Sequence, residues 1–160
     1  MASEIRTKDI TKGQFTITLA SLASSTSAGQ QATLLDNSSN DRPAALVYLK
    51  TQVNATTGAD GSITVYLIRG NDPSSSNVRT DNAGASDAAL TIRNAMPLGS
   101  LFVPNGTTNS TVIAGEWDTS IAGPLGPEWG VAVLNTTGQA LHATAGNHYC
   151  GYVYYIPESQ

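Results

Sequence analysis

Two runs decide how this chain reads: Ala44-Ala45-Leu46-Val47-Tyr48-Leu49-Lys50-Thr51-Gln52-Val53 and Ser62-Ile63-Thr64-Val65-Tyr66-Leu67-Ile68-Arg69, separated by Asn54-Ala55-Thr56-Thr57-Gly58-Ala59-Asp60-Gly61. Both are rich in β-branched and aromatic residues, which suit a pleated, half-buried surface. Asp60-Gly61 is turn chemistry, because glycine reaches positive φ without a Cβ clash. The pattern predicts a β-hairpin with a long tip at the centre of an all-β domain. Leu46, Tyr48 and Lys50 share one face of the first run and Val47, Leu49 and Thr51 the other. Both faces are partly apolar, which places the strand inside a sandwich or near a subunit contact.

Outward from this stretch, turn clusters alternate with short apolar runs. Gln14–Leu22 alternates as a strand, with a Ser/Gly-rich loop over 23–31, a short strand over 31–35 and a dense loop at Asp36–Pro43. Loops are expected at Asn71–Asn77 and Asp81–Asp87, and strands at Ala88–Ile92, Leu98–Val103, Ser110–Trp117, Trp129–Asn135, Ala140–Ala143 and Tyr149–Ile156. Pro97 and Gly99 stop any helix begun at Ala88. The sum is an all-β chain of about eight to ten short strands, a β-sandwich of jelly-roll type. Residues 1–13 hold Glu4, Arg6, Lys8, Asp9 and Lys12 around Ile5 and Ile10. They read as an N-terminal arm, either frayed or ordered by a partner, ahead of a single domain over 14–160.

Composition narrows the class. The chain has 160 residues, enough for one domain with a real core, and only 12% of them are charged, against roughly 25% in ordinary soluble domains. Ser, Thr, Asn and Gly fill the difference. Net charge is −4, and all eight basic residues lie at or before Arg93. There is no cluster of cations to neutralise phosphates, so nucleic acid is not an expected partner. No apolar run approaches the roughly 20 residues of a membrane helix. Thr16, Thr18 and Ser21 interrupt 15–23, which therefore does not read as a signal peptide. The Asn-X-Thr sequences at Asn54, Asn105, Asn109 and Asn135 follow from an Asn/Thr-rich chain. Cys150 is the single cysteine; its neighbours Tyr149, Gly151 and Tyr152 suit a small apolar residue in a strand better than a reactive thiol.

Chemical motifs are sparse. There is no phosphate loop, dinucleotide glycine pattern, His-Glu-x-x-His or Gly-x-Ser-x-Gly. His142 and His148 could pair with Glu116 or Asp118 around a metal, but Gly146-Asn147 interrupts their strand. Glu116, Asp118 and Glu128 are the candidates for a glycosidase-type carboxylate pair, with nothing to align them. Asp36-Asn37, Asn40-Asp41, Asp81-Asn82 and Asp87 carry oxygens without calcium-loop spacing. Trp117, Trp129, Tyr149, Tyr152, Tyr154 and Tyr155 could stack on sugars, but in a sandwich they read first as core or interface. The expectation is a chain without enzymatic activity, metal or cofactor.

Several phrases carry a resemblance: Asp36-Asn37 with Pro43-Ala44-Ala45-Leu46-Val47-Tyr48; Val65-Tyr66-Leu67-Ile68-Arg69; Asp81-Asn82-Ala83-Gly84; Gly123-Pro124-Leu125-Gly126-Pro127-Glu128-Trp129-Gly130-Val131-Ala132-Val133; and Asn135-Thr136-Thr137-Gly138-Gln139-Ala140-Leu141. Together they span about 33–156, and the chain resembles the jelly-roll capsid decoration, or cement, proteins of tailed bacteriophages. The resemblance implies a structural virion protein on the outer surface of the capsid. It would be a homotrimer clamping neighbouring major capsid subunits, with no nucleic acid or membrane partner. Ile5, Arg6, Lys8, Ile10 and Lys12 would then form a capsid-contact arm, and Trp117, Trp129, Tyr152, Tyr154 and Tyr155 inter-subunit aromatics. Tailed phages reuse this fold in tails and spikes, so a receptor- or glycan-binding module is the alternative expectation.

Overall fold

The structure, a computed structural model, describes residues 5–39, 42–73 and 78–159, with side chains described from residue 11 to residue 155 in that span. It is an all-β sandwich of two antiparallel sheets. The strands are β1 (Ile5–Gln14), β2 (Ala28–Gln31), β3 (Leu35–Asp36), β4 (Ala44–Thr51), β5 (Gly61–Gly70), β6 (Ala88–Thr91), β7 (Met96–Val103), β8 (Ile113–Asp118), β9 (Glu128–Asn135) and β10 (Tyr149–Ser159). The front sheet has the order β1-β10-β4-β8; the back sheet has β6-β2-β9-β5-β7, with β3 also on β9. The pairings nest, β1 with β10, β2 with β9, β4 with β8 and β5 with β7. Outside this nest, β6 pairs β2 and β3 pairs β9.

That topology corrects the reading of the central stretch. β4 and β5 do not form a hairpin; they lie in opposite sheets, and the connector between them crosses the sandwich. Its residues are pinned elsewhere: Val53 bridges Leu141, and the Thr57 hydroxyl donates to the Pro104 carbonyl. Each strand turns its apolar face to the same interior. Ala45, Val47 and Leu49 of β4 meet Ile63, Val65 and Leu67 of β5 in one core, with Val131 and Val133 of β9. Burying such side chains contributes about 1.5–3 kcal/mol each before conformational entropy is charged against it.

Residues 14–22 also differ from expectation. Phe15 and Leu19 are buried and Ile17 half-buried, so the alternation is real, but the backbone beyond Gln14 joins no sheet. It makes isolated bonds, Phe15 N–H to the Cys150 carbonyl and Thr33 N–H to the Thr16 carbonyl. The strand begins earlier instead, at Ile5, and the boundary expected between arm and domain at Gly13/Gln14 falls within β1. The short strand expected at Ala140–Ala143 reduces to the single bridge at Leu141.

The aromatic residues build the core. Trp129 sits edge-on to Phe15, Tyr152 and Tyr154, with ring centroids 5.4, 5.6 and 5.6 Å away. Its indole N–H donates to the Tyr154 hydroxyl at 2.8 Å, tying the back sheet to the front one. Arg42 lies 4.6 Å over the Tyr154 ring. A second apolar layer covers the outside of the back sheet, where Leu34, Ala83, Leu90 and Ala95 pack on Ile68 and Ala132. The segment carrying it is fastened by polar side chains. Asp81, at φ 56°, accepts the backbone N–H groups of Arg93, Asn94 and Ala95. Buried Gln31 donates to the carbonyls of Gly84 and Ser86. Arg79 makes a two-pronged ion pair with buried Glu128 at 2.7 and 2.8 Å.

Replacing Tyr154 by Phe removes the acceptor of the buried indole N–H. The expected cost is about 1–3 kcal/mol in urea unfolding at unchanged m-value; an unchanged midpoint would mean that the bond does not hold the sheets together.

Candidate interaction surface

The outer face of the front sheet differs from the rest of the molecule. Strand alternation sends Val47, Leu49 and Thr51 inward and leaves Leu46, Tyr48 and Lys50 outside. Register then builds rows across the sheet. One runs Lys12–Val153–Leu46–Asp118, the next Gln14–Gly151–Tyr48–Glu116. Lys12, Tyr48, Lys50, Glu116, Tyr149 and Val153 line an open groove of about 560 Å³. Tyr149 is 40% exposed, and its phenol lies across Gly151, where any Cβ would strike the ring and hydroxyl. Glycine at that position leaves room for the tyrosine ring to lie over the strand; a side chain there would push the exposed ring outward. Tyr155, half-buried on the same face, donates to Asp118 at 2.6 Å. Partial burial works against the Asp118 charge, but this bond and the Ser120 N–H outweigh it and hold its pKa below the ordinary value.

The aromatics expected between subunits therefore divide. Trp129 and Tyr154 are buried within the chain, 0% and 5% exposed, and have no ring surface left for a second chain. Tyr152 is half-buried but faces the same internal cluster. Trp117 also turns inward, with its indole against Gly99 at the β7–β8 side of the sandwich. Of the five, Tyr155 alone lies on the outer face. Tyr48 and Tyr149 lie there too; the sequence read Tyr149 as a sugar-stacking, core or interface residue and Tyr48 as part of a strand inside a sandwich or near a subunit contact, and neither among the inter-subunit aromatics. Of the expected arm, Lys12 is exposed and belongs to the groove, while the side chains of Ile5, Arg6, Lys8 and Ile10 lie outside the described residues.

Most of the candidate chemical residues are tied into the fold; Glu116 is exposed on β8. The Nε2–H of His148 donates to the His142 carbonyl at 2.8 Å, so Nδ1 is the acceptor for the buried Thr51 hydroxyl at 2.7 Å. His142 Nδ1 accepts the Thr144 N–H. Glu128 is in the back sheet with Arg79, whereas Glu116 and Asp118 share one face of β8, so the three carboxylates do not face one another across a cleft. Asp36 accepts from Ser38, and Asp87 from Thr18 and Gln30. Asn40 and Asp41 lie outside the described residues. Among the described residues no three His, Cys, Asp or Glu side chains gather as metal ligands. Cys150 is buried, and desolvation pushes its thiol up to about 12. Asn135 is also buried, its amide donating to the carbonyls of Leu22 and Gln139, which leaves it closed to glycosylation in the folded chain.

Comparison with family models, with curated proteins and with solved structures found no match. The class defined by fold and surface is an all-β sandwich with a half-exposed apolar sheet face.

Burial lowers the pKa of His148 and outweighs the bond to the His142 carbonyl, which works the other way. The unfolded chain then binds more protons just below the ordinary histidine value of about 6.5. Stability should be full above that pH and fall as pH drops from there through the folded pKa. His148→Gln should flatten this limb of a Tm-against-pH curve; an identical curve in the variant would assign the effect to other groups.

Proposed function

We propose that this chain is a structural virion protein of jelly-roll fold that decorates a tailed-phage capsid from the outside. In this reading a homotrimer clamps neighbouring major capsid subunits. The observation that carries it is the outer face of the front sheet, where Leu46, Tyr48, Tyr149, Val153 and Tyr155 form a continuous, half-exposed apolar strip. Such a strip suits contact with protein, and repeated weak contacts suffice on a lattice with many equivalent sites. The nested strand pairing, first with last and inward to β5 with β7, supports the jelly-roll assignment, because rolling up one long hairpin produces that order. The phrases behind the resemblance have structural duties: Asn37 donates to the carbonyls of Arg42 and Gly126, joining the Pro43 and Gly123–Pro127 loops.

A second reading, a glycan-binding module of a tail or spike, is favoured by one observation. The exposed Tyr149 ring lies over the strand between Lys12, Lys50 and Glu116, an arrangement that stacks on a sugar ring and bonds its hydroxyls.

Quantifying the chain in purified virus particles by mass spectrometry separates the two. Abundance comparable to the major capsid protein is the expected result. A few copies per particle, with glycan-array binding that Tyr149→Ala abolishes, would establish the second reading, and absence from particles would remove both.

A further inference from the structure

The two edges of the front sheet carry opposite charge where they share cross-strand rows. β1, at one edge, holds Lys12 and no acid in those rows; Arg6, Lys8 and Asp9 lie beyond the last row that reaches β8. β8, at the other, holds Glu116 and Asp118 and no cation. Each strand pairs on one side only: among the described residues, no backbone bond reaches β1 from the side away from β10, or β8 from the side away from β4. Their geometry also matches. All four strands are antiparallel to their neighbours, so an even count leaves β1 and β8 running in opposite directions. A second copy set edge to edge would meet β8 with β1 as an antiparallel pair, the arrangement with perpendicular, well-formed bonds. Lys12 and Asp118 end the same cross-strand row, on the same outer face. Joining the sheets along that row places Lys12 of one copy beside Asp118 of the next. A two-residue step places it beside Glu116, which is exposed.

We infer that β8 of one copy docks on β1 of the next, continuing the front sheet between subunits and setting its register by pairing the Lys12 edge with the Glu116 and Asp118 edge. Charged edges often serve to prevent strand addition. Charges of one sign on both edges would do that; opposite signs on complementary edges keep like edges apart and admit only the head-to-tail pairing. Such a contact is heterologous, so it closes into a ring or propagates as a filament. Closure into a ring leaves no edge strand unpaired, and the homotrimer of the reading above is such a ring. The number of copies in the ring rests on the homotrimer of the reading above; the edge contact does not.

The test uses the purified full chain, with no capsid present, so its failure and that of the decoration reading are separable. Sedimentation velocity in low salt should show a closed oligomer of the 16.6 kDa chain. Lys12→Glu and Glu116→Lys, both exposed positions, should each weaken association at least about tenfold by placing like charges together, and the double variant should regain it. Added salt should weaken the wild type and relieve the single variants. Circular dichroism and Tm establish that each variant folds. A monomeric wild type at about 100 µM, well above any stable assembly's Kd, would overturn the inference. So would single variants that associate as the wild type does, or a double variant no better than the singles.

Discussion

Strand β9 is buried along all eight of its residues, Glu128–Asn135, and much of the architecture follows from that requirement. A strand flanked by β2 and β5 has its backbone groups paired, but both its faces still need covering. On the inner side Trp129, Val131 and Val133 meet the front sheet. On the outer side Ala132 needs a second layer, which the 79–95 segment supplies through Ala83, Leu90 and Ala95. Burial also reaches a carboxylate at the strand's start. Removing an ion from water costs several kcal/mol unless it is matched, and Arg79 on the covering segment provides the two-pronged match. The segment that closes the outer layer therefore also carries the counter-charge. The Asp81 carboxylate fixes its far end: desolvation opposes the charge there, but three backbone N–H donors outweigh it and keep the pKa low.

How much of this could be read from the sequence depends on the range of the signal. Strand existence is local, and alternation located β4, β5, β7, β9 and β10 closely. Strand partners are not local. The 44–70 stretch looked like a hairpin because two strong strands flanked a turn dipeptide, yet nothing in either run records which sheet it joins. What separates them is the length of the connector and its attachments to Leu141 and Pro104, residues far along the chain. Phe15–Leu19 shows the converse error. Alternating burial mimics a strand wherever extended backbone lies on a core, whether or not it joins a sheet. β1 was missed because charged residues dominate it, and edge strands tolerate charge.

The surface was legible for a different reason. Aromatic composition pointed to interfaces, but it could not distinguish Trp129, whose N–H is satisfied inside by Tyr154, from Tyr149, whose exposed ring lies over the glycine two residues on. Parity along the strand separates the aromatics: Tyr152 and Tyr154 share the inner face with Cys150, whereas Tyr149, Val153 and Tyr155 share the outer one. In β4 the residues alternating with Val47 and Leu49 were visible as a second apolar face, and the structure leaves that face without a covering layer within the described residues.

The same parity links the groove to the edges. A row that crosses four antiparallel strands begins on Lys12 and ends on Asp118, so the apolar middle of the face and its charged margins are one pattern repeated at about 4.8 Å spacing from strand to strand. On a solvated sheet face, charges are expected in the middle of rows as often as at their ends. Here the middle of that row is Val153 and Leu46 and the middle of the next is Gly151 and Tyr48, with charge at the Lys12, Asp118 and Glu116 margins; the third row carries Lys50 in its middle. That distribution leaves the middle with little affinity for water and gives each margin a preferred neighbour of opposite sign. A sheet continued from copy to copy, as inferred above, would have this distribution; the back sheet's β7 edge instead carries Pro97, which has no N–H to give a further strand.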